Sequence, residues 1–238
     1  MFGQRIHNSH RGREEGEKPF WISFADLMTA LMVLFLLVMS VALLAVTKTI
    51  TQREKLEAAR QEEIDRLLDR IEQAARREQG VHVDHERAVI DFGERARFDT
   101  SSFTLRPDQE RLLRSFVPEV LAIARDKGGQ RWLKRIVVEG FTDRRGSYLY
   151  NLNLSLERSQ RVLCALMGPP AADERPMQRS ELEEIRRLFL VGGYSSNSAK
   201  ESLDASRRIE LRLEFYGAEE PAKTTASSFD GEFGACAL

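Results

Sequence analysis

The sequence has almost no net charge: 36 lysines and arginines stand against 37 aspartates and glutamates in 238 residues, a formal −1 at neutral pH. A phosphate-binding chain carries a basic surplus, so no nucleic-acid partner is expected. Cysteine is scarce, with only Cys164 and Cys236. An oxidising compartment tolerates them as a pair. No nucleophile–base pair and no metal-ligand cluster is visible, which argues against an enzyme. His82 and His85 stand three apart with no further ligand near them in the chain, so no metal or other cofactor is expected.

Charge is also missing locally. Residues 20–46 form one apolar run whose only ionisable residue is Asp26. Roughly 20 helical residues cross a hydrocarbon core of about 30 Å. A secretory signal has a shorter apolar region, on the order of 7–15 residues, and then a small-residue cleavage site. The run therefore reads as a retained single membrane helix, with Phe20 and Trp21 as its interfacial belt. Arg5, Arg11, Arg13 and Lys18 precede it while Lys48, Arg53, Lys55 and Arg60 follow it, so basic residues leave its orientation undecided.

Residues 49–79 lack glycine and proline and are rich in helix formers. Ile64, Leu67, Ile71 and Ala74 or Ala75 recur at helical spacing, and Glu62–Arg66 and Glu72–Arg76 are favourable i,i+4 pairs. The seam is too short for a coiled coil by itself, though a dimer held elsewhere could use it. Beyond residue 86 the pattern becomes globular. Strands are predicted at 88–92, 135–141, 188–194 and 208–215, the last with period two. Helices are predicted at 107–125, kinked or split by Pro118 and ended by Gly128-Gly129, at 150–167, and at 181–187. The expected fold class is α+β. Its parts are a tail at 1–18, a membrane helix at 19–47, a helical linker at 48–85, a domain at 86–216 and an unstructured tail at 217–238.

The stretch EGFTDRRGSYLYNLNLSLERSQ carries the most specific pattern in the domain. Glu139 through Asp143, then Gly146, Tyr150-Asn151, Leu154-Ser155 and Arg158, with Ser206-Arg207-Arg208 before the last strand, resemble OmpA-like peptidoglycan-binding domains. That resemblance implies an α/β sandwich. Phe141 and Ser206 depart from it, since the family usually has His and Asn there. A diaminopimelate side chain presents an ammonium and a carboxylate on one carbon, and so needs an anionic acceptor beside a planar cationic donor. By resemblance Asp143 takes the ammonium and Arg158 the carboxylate, with Tyr150, Asn151 and Leu154 lining the site and Arg207 or Arg208 nearby. The spacing alone favours a turn-capping Asp143 and a solvated Arg158; the full order of motifs favours the pocket.

PFWISFADLMTALMVLFLLVM resembles the membrane segment of MotB-type stator subunits through Trp21, Phe24-Ala25-Asp26, Met28-Thr29-Ala30 and Leu31-Met32. That resemblance implies an N-terminus in the cytoplasm, an inner-membrane span and residues after 48 in the periplasm. It makes Asp26 the carrier of a transported ion, expected to be a proton. Asp26 sits eight residues past Lys18, about 12 Å along a helix. A carboxyl at such depth costs several kcal/mol, so it either marks an ion path or is a structural group hydrogen-bonded to a partner helix, a task Asn or Ser would do more cheaply. Thr29 is either a neighbouring hydroxyl on that path or bonded to its own helix. The wording of the segment and the charged helix after it resemble the ZorB subunits of Zorya antiphage systems more than flagellar ones. Such a subunit implies a MotA-like (ZorA-type) multi-pass partner, five copies around two of this chain. A flagellar stator subunit and an inert membrane-to-wall tether are the alternatives. In the implied periplasm, Cys164 and Cys236 either bridge or remain a buried thiol and a free one.

Overall fold

The computed structural model describes residues 18–220, 231 and 233–236. The tail expected at 1–18 lies outside them except for Lys18, as does most of the tail expected at 217–238. The chain divides into two compact units, 1–56 and 57–238.

Helix α1 (Lys18–Ala75) has no glycine or proline after Pro19, which sits in its first turn, where a missing N–H costs nothing. Through the first unit its large apolar side chains, among them Trp21, Leu31, Phe35, Leu44 and Ile50, are exposed. It is long and apolar enough to cross a membrane. The hydroxyls of Thr29, Ser40 and Thr47 donate to the carbonyls of Ala25, Leu36 and Leu43 at 2.7–2.8 Å, so each is satisfied within its own helix. Thr29 thus bonds its own helix.

In the second unit the boundary expected at residue 86 is corrected. The unit starts at Glu57, and the last turns of α1 are part of its core rather than a linker. Ile64, Leu67, Leu68, Ile71, Ala74 and Ala75 are buried in one cluster with Ile90, Phe116, Ile136 and Leu211. The seam that a second copy could have used is therefore filled by the domain itself.

The sheet comprises β1 (His82–Asp84), β2 (Val89–Asp91), β3 (Leu133–Gly140), β4 (Phe189–Gly193) and β5 (Ile209–Phe215) in the order β1-β2-β5-β3-β4, antiparallel except for β3 with β4. Successive strand residues face opposite sides. Ile136, Val138, Ile209, Leu211 and Leu213 enter the core with residues of α2 (Pro107–Ala124), α4 (Tyr148–Met167) and α5 (Arg179–Leu188). The other face carries Glu139 of β3 directly opposite Glu210 of β5. Like charges so placed repel, and arginines neutralise them: Arg212 grips Glu139 at 2.5 and 2.9 Å, and Arg208 and Arg87 reach Glu210 at 2.6 and 2.9 Å.

Two expectations about the helices change. Pro118 stays inside one unbroken α2, whose buried Leu113, Phe116, Val117, Val120 and Leu121 hold it on the sheet. Gly128-Gly129 does not end that helix but lies in a further short one, α3 (Lys127–Trp132), capped by Asp126. Its backbone presses on α2, for a Cβ on Gly129 would meet the Ile123 carbonyl oxygen at 2.3 Å. The short strand β1 and α6 (Leu203–Ser206) were not anticipated.

Candidate functional site

The site forms where β3 ends. Gly140 has no Cβ, and one placed there would lie 1.9 Å from the Ser155 carbonyl oxygen, so α4 crosses the strand end at backbone distance. The chain then leaves the sheet into residues 141–147. Ser147 caps α4 by accepting from the Tyr150 amide, and Asn151 Nδ2 donates to the Arg145 carbonyl at 2.9 Å. Helix and loop are thereby locked together, with Tyr150 half exposed over Gly146 and Asn151 and Leu154 buried.

Asp143 occupies the floor of this notch, 5% exposed. Its Oδ1 accepts from the Arg145 amide at 3.0 Å and from Arg145 Nε at 3.3 Å. Its Oδ2 accepts from Arg145 Nη2 at 2.7 Å and Arg207 Nη1 at 3.2 Å. These donors, the Arg145 side chain first, outweigh burial and hold the carboxyl at a pKa of about 2. Arg207 is fixed in turn by the Phe98 carbonyl at 2.9 Å and by Asp204.

Arg158 lies behind the same notch but is wholly buried. Nε donates to the Ser102 carbonyl at 2.9 Å, Nη1 to Phe141 at 2.7 Å and Nη2 to Asp99 at 3.1 Å, with the guanidinium 4.9 Å from the Phe98 ring centre. Burial, with Arg207 adding to it, lowers its pKa to about 10, so it stays cationic at neutral pH. Asp143 and Arg158 feel each other's charge but share no hydrogen bond or ion pair, and Arg158 is not an open fork awaiting a carboxylate. Three of its five N–H groups brace the two loops that wall the notch. Arg208 is likewise buried, between Glu210 and the Phe141 ring at 4.1 Å. Phe141, placed where histidine was expected, stacks on Tyr194 with ring centres 5.4 Å apart and makes the local support apolar.

Two contributors went unrecognised in the sequence. Arg145 was read only as part of the string around Asp143, and the loop at 99–102 was not assigned; its Thr100 hydroxyl accepts from Arg145 at 3.1 Å. The Asp-Arg-Arg run at 143–145 is the signal that pointed to the first. His85 has near neighbours after all, for Asp69 and Glu72 place ligand atoms within 4.8 Å of its own. Glu72 is already paired with Arg76 at 3.1 Å, so the group reads as an ion-pair cluster. A cleft of about 780 Å³ beside Glu110, Arg161 and Cys164 is lined by none of the Asp143 notch residues.

Cys164 of α4 and Cys236 are joined in a disulfide, with Cα atoms 5.6 Å apart. It closes a loop across a sequence separation of 72 residues, for which the chain-entropy relation gives about 4 kcal/mol. Cys236→Ser changes an exposed residue and should lower the domain's melting temperature by several degrees. Reductant should lower the wild type to the same value and leave the variant unmoved. A wild type indifferent to reductant and equal to the variant would show that the bridge contributes nothing.

Among the described residues, a charged notch on an α+β domain is carried by the same chain as a helix long and apolar enough to cross a membrane, in whose apolar run Asp26 is the one ionisable residue. Residues 4–59 match the family described as membrane MotB of the proton-channel complex MotA/MotB. Over 221 residues the chain is 46% identical to Zorya protein ZorB of Escherichia coli O139:H28 (strain E24377A / ETEC), covering 92% of this chain and 90% of that one. The chain belongs to the ZorB family. Solved structures similar to it include a putative MotB-like protein from Desulfovibrio vulgaris, at 21% identity and TM-score 0.43 over 70% of this chain and 99% of that one. The cell wall anchor of the type VI secretion system from Pseudomonas aeruginosa is similar at 20% identity and TM-score 0.41, over 63% and 97%.

Proposed function

We propose that this chain is the ion-carrying, wall-anchored B subunit of a proton-driven membrane stator acting in antiphage defence. α1 spans the inner membrane with the N-terminus in the cytoplasm, and the domain from Glu57 onward sits in the periplasm. Asp26 takes up and releases the proton, and the notch at Asp143 holds the diaminopimelate side chain of peptidoglycan. A multi-pass MotA-like subunit encloses the membrane helices, five copies around two of this chain. The function is transport and anchorage, with no bond made or broken by the protein.

The observation that carries this reading is the relation to ZorB, which runs over 92% of the chain and so supports membrane segment and domain together. Two physical features agree with it. Asp143 is held anionic where an ammonium would need it, and a disulfide suits an oxidising compartment. Full-length protein in detergent should co-sediment with diaminopimelate-type sacculi. Failure to sediment at any protein concentration would refute the anchorage.

A further inference from the structure

The acceptor at the floor of the notch is already occupied. Arg145 lies on both oxygens of Asp143, at 3.3 and 2.7 Å, and among the described residues its side chain otherwise donates to the Thr100 hydroxyl at 3.1 Å. Its side chain is 52% exposed, against 12% for Arg207. Arg207 is held on three sides, by Phe98, Asp143 and Asp204. Arg158 is buried and spent on three carbonyls. Of these three cations, Arg145 alone can leave with the loss of a single wall contact, the exposed Thr100 hydroxyl, while Arg158 still braces that loop.

A ligand with an ammonium and a carboxylate on one carbon needs Asp143 freed and a cationic fork supplied. One movement does both. We propose that Arg145 is a swinging arm, resting on Asp143 when the notch is empty and forking the ligand carboxylate when it is filled. This rests on the wall-anchoring reading and deepens it, because it makes Arg145 the residue that selects diaminopimelate stems over lysine stems. A lysine side chain brings an ammonium alone. To reach Asp143 it displaces a bidentate charge-assisted pair and leaves the arginine with nothing in exchange. The zwitterion leaves both protein charges paired.

The test is a titration of the full-length protein with two synthetic stem tripeptides, differing only in diaminopimelate or lysine at the third position. Wild type should prefer diaminopimelate by about tenfold or more, the scale of one charge-assisted contact. In Arg145→Gln that preference should fall to about threefold or less, with diaminopimelate binding weakened and lysine binding equal or stronger because the competing cation is gone. The neighbouring exposed Arg144→Gln should keep the wild-type ratio. An Arg145→Gln protein with the wild-type ratio overturns the swinging arm, as does an Arg144→Gln protein that loses the ratio equally, since bulk charge then explains it. A wild type that binds neither stem strikes the wall-anchoring reading itself, a result separate from any Arg145 outcome.

Discussion

Asp143→Asn should reduce co-sedimentation with diaminopimelate-type sacculi by about tenfold or more, the loss of a charge-assisted hydrogen bond worth roughly 1.5–3 kcal/mol. The amide keeps the size of the carboxylate, and its oxygen can still accept from the Arg145 amide, so the loop entering α4 should hold its course. What it loses is the negative charge that an ammonium requires. Asp143→Ala should do at least as much, but it also strips Arg145 and Arg207 of a common partner and leaves Arg145 without its carboxylate, while Arg207 keeps Asp204. The asparagine is therefore the cleaner variant: it should still unfold cooperatively, at a somewhat lower melting temperature because the carboxylate's charge-assisted bonds to Arg145 and Arg207 are weakened. Binding equal to wild type would remove Asp143 from the ligand's path.

The low pKa of Asp143 sets how that interaction responds to acid. An unfolded aspartate titrates near 3.9, whereas here the carboxyl is held at about 2 by Arg145, its own loop amide and Arg207. A depressed acid pKa stabilises the folded state above the unfolded value, and that contribution disappears as the pH falls toward about 2. Between pH 7 and roughly 4 the group stays ionised. Wall binding limited by Asp143 should then be flat across that interval.

Part of this site was legible in the chain itself. A β-branched run ending in Gly-Phe-Thr-Asp and followed by an amphipathic stretch identifies a strand, a loop and a helix, and so puts Asp143 near the helix start. The state of Arg158 was not legible. Its partners are carbonyls of residues 99, 102 and 141, lying 59, 56 and 17 positions away, and a carbonyl has no signature in the side-chain sequence. The same limit explains the misplaced domain boundary. Ile64, Leu67, Ile71 and Ala75 make one apolar stripe whether a second helix or the domain's own sheet covers it, and only the folded packing with Ile90, Phe116 and Leu211 distinguishes the two. Pro118 was taken to break α2 by its local cost, but burial of five apolar neighbours around it outweighs one missing backbone bond.

Asp26→Asn should leave the protein inserted and assembled yet abolish every output that depends on ion flow. Asparagine is nearly isosteric and offers hydrogen bonds to the same neighbours in a helix bundle, so the variant should copurify with its multi-pass partner at wild-type yield. It has no proton to exchange. The membrane field supplies about 2.3 kcal/mol per charge per 100 mV, and without a group that binds and releases the ion this work cannot be coupled to movement. Asp26→Glu keeps the titratable group but displaces it by one bond, about 1.5 Å, where proton transfer depends on reach, and should retain only slight activity. An inert tether predicts something different, namely that wild type and both variants protect equally while the anchor inserts. Phage-protection assays beside copurification of the complex separate the two cases, and a motility assay distinguishes a defence role from a flagellar one. An Asp26→Asn protein that assembles and protects like wild type would end the stator reading even if the domain grips the wall, because an anchored subunit that moves no ion transmits no force.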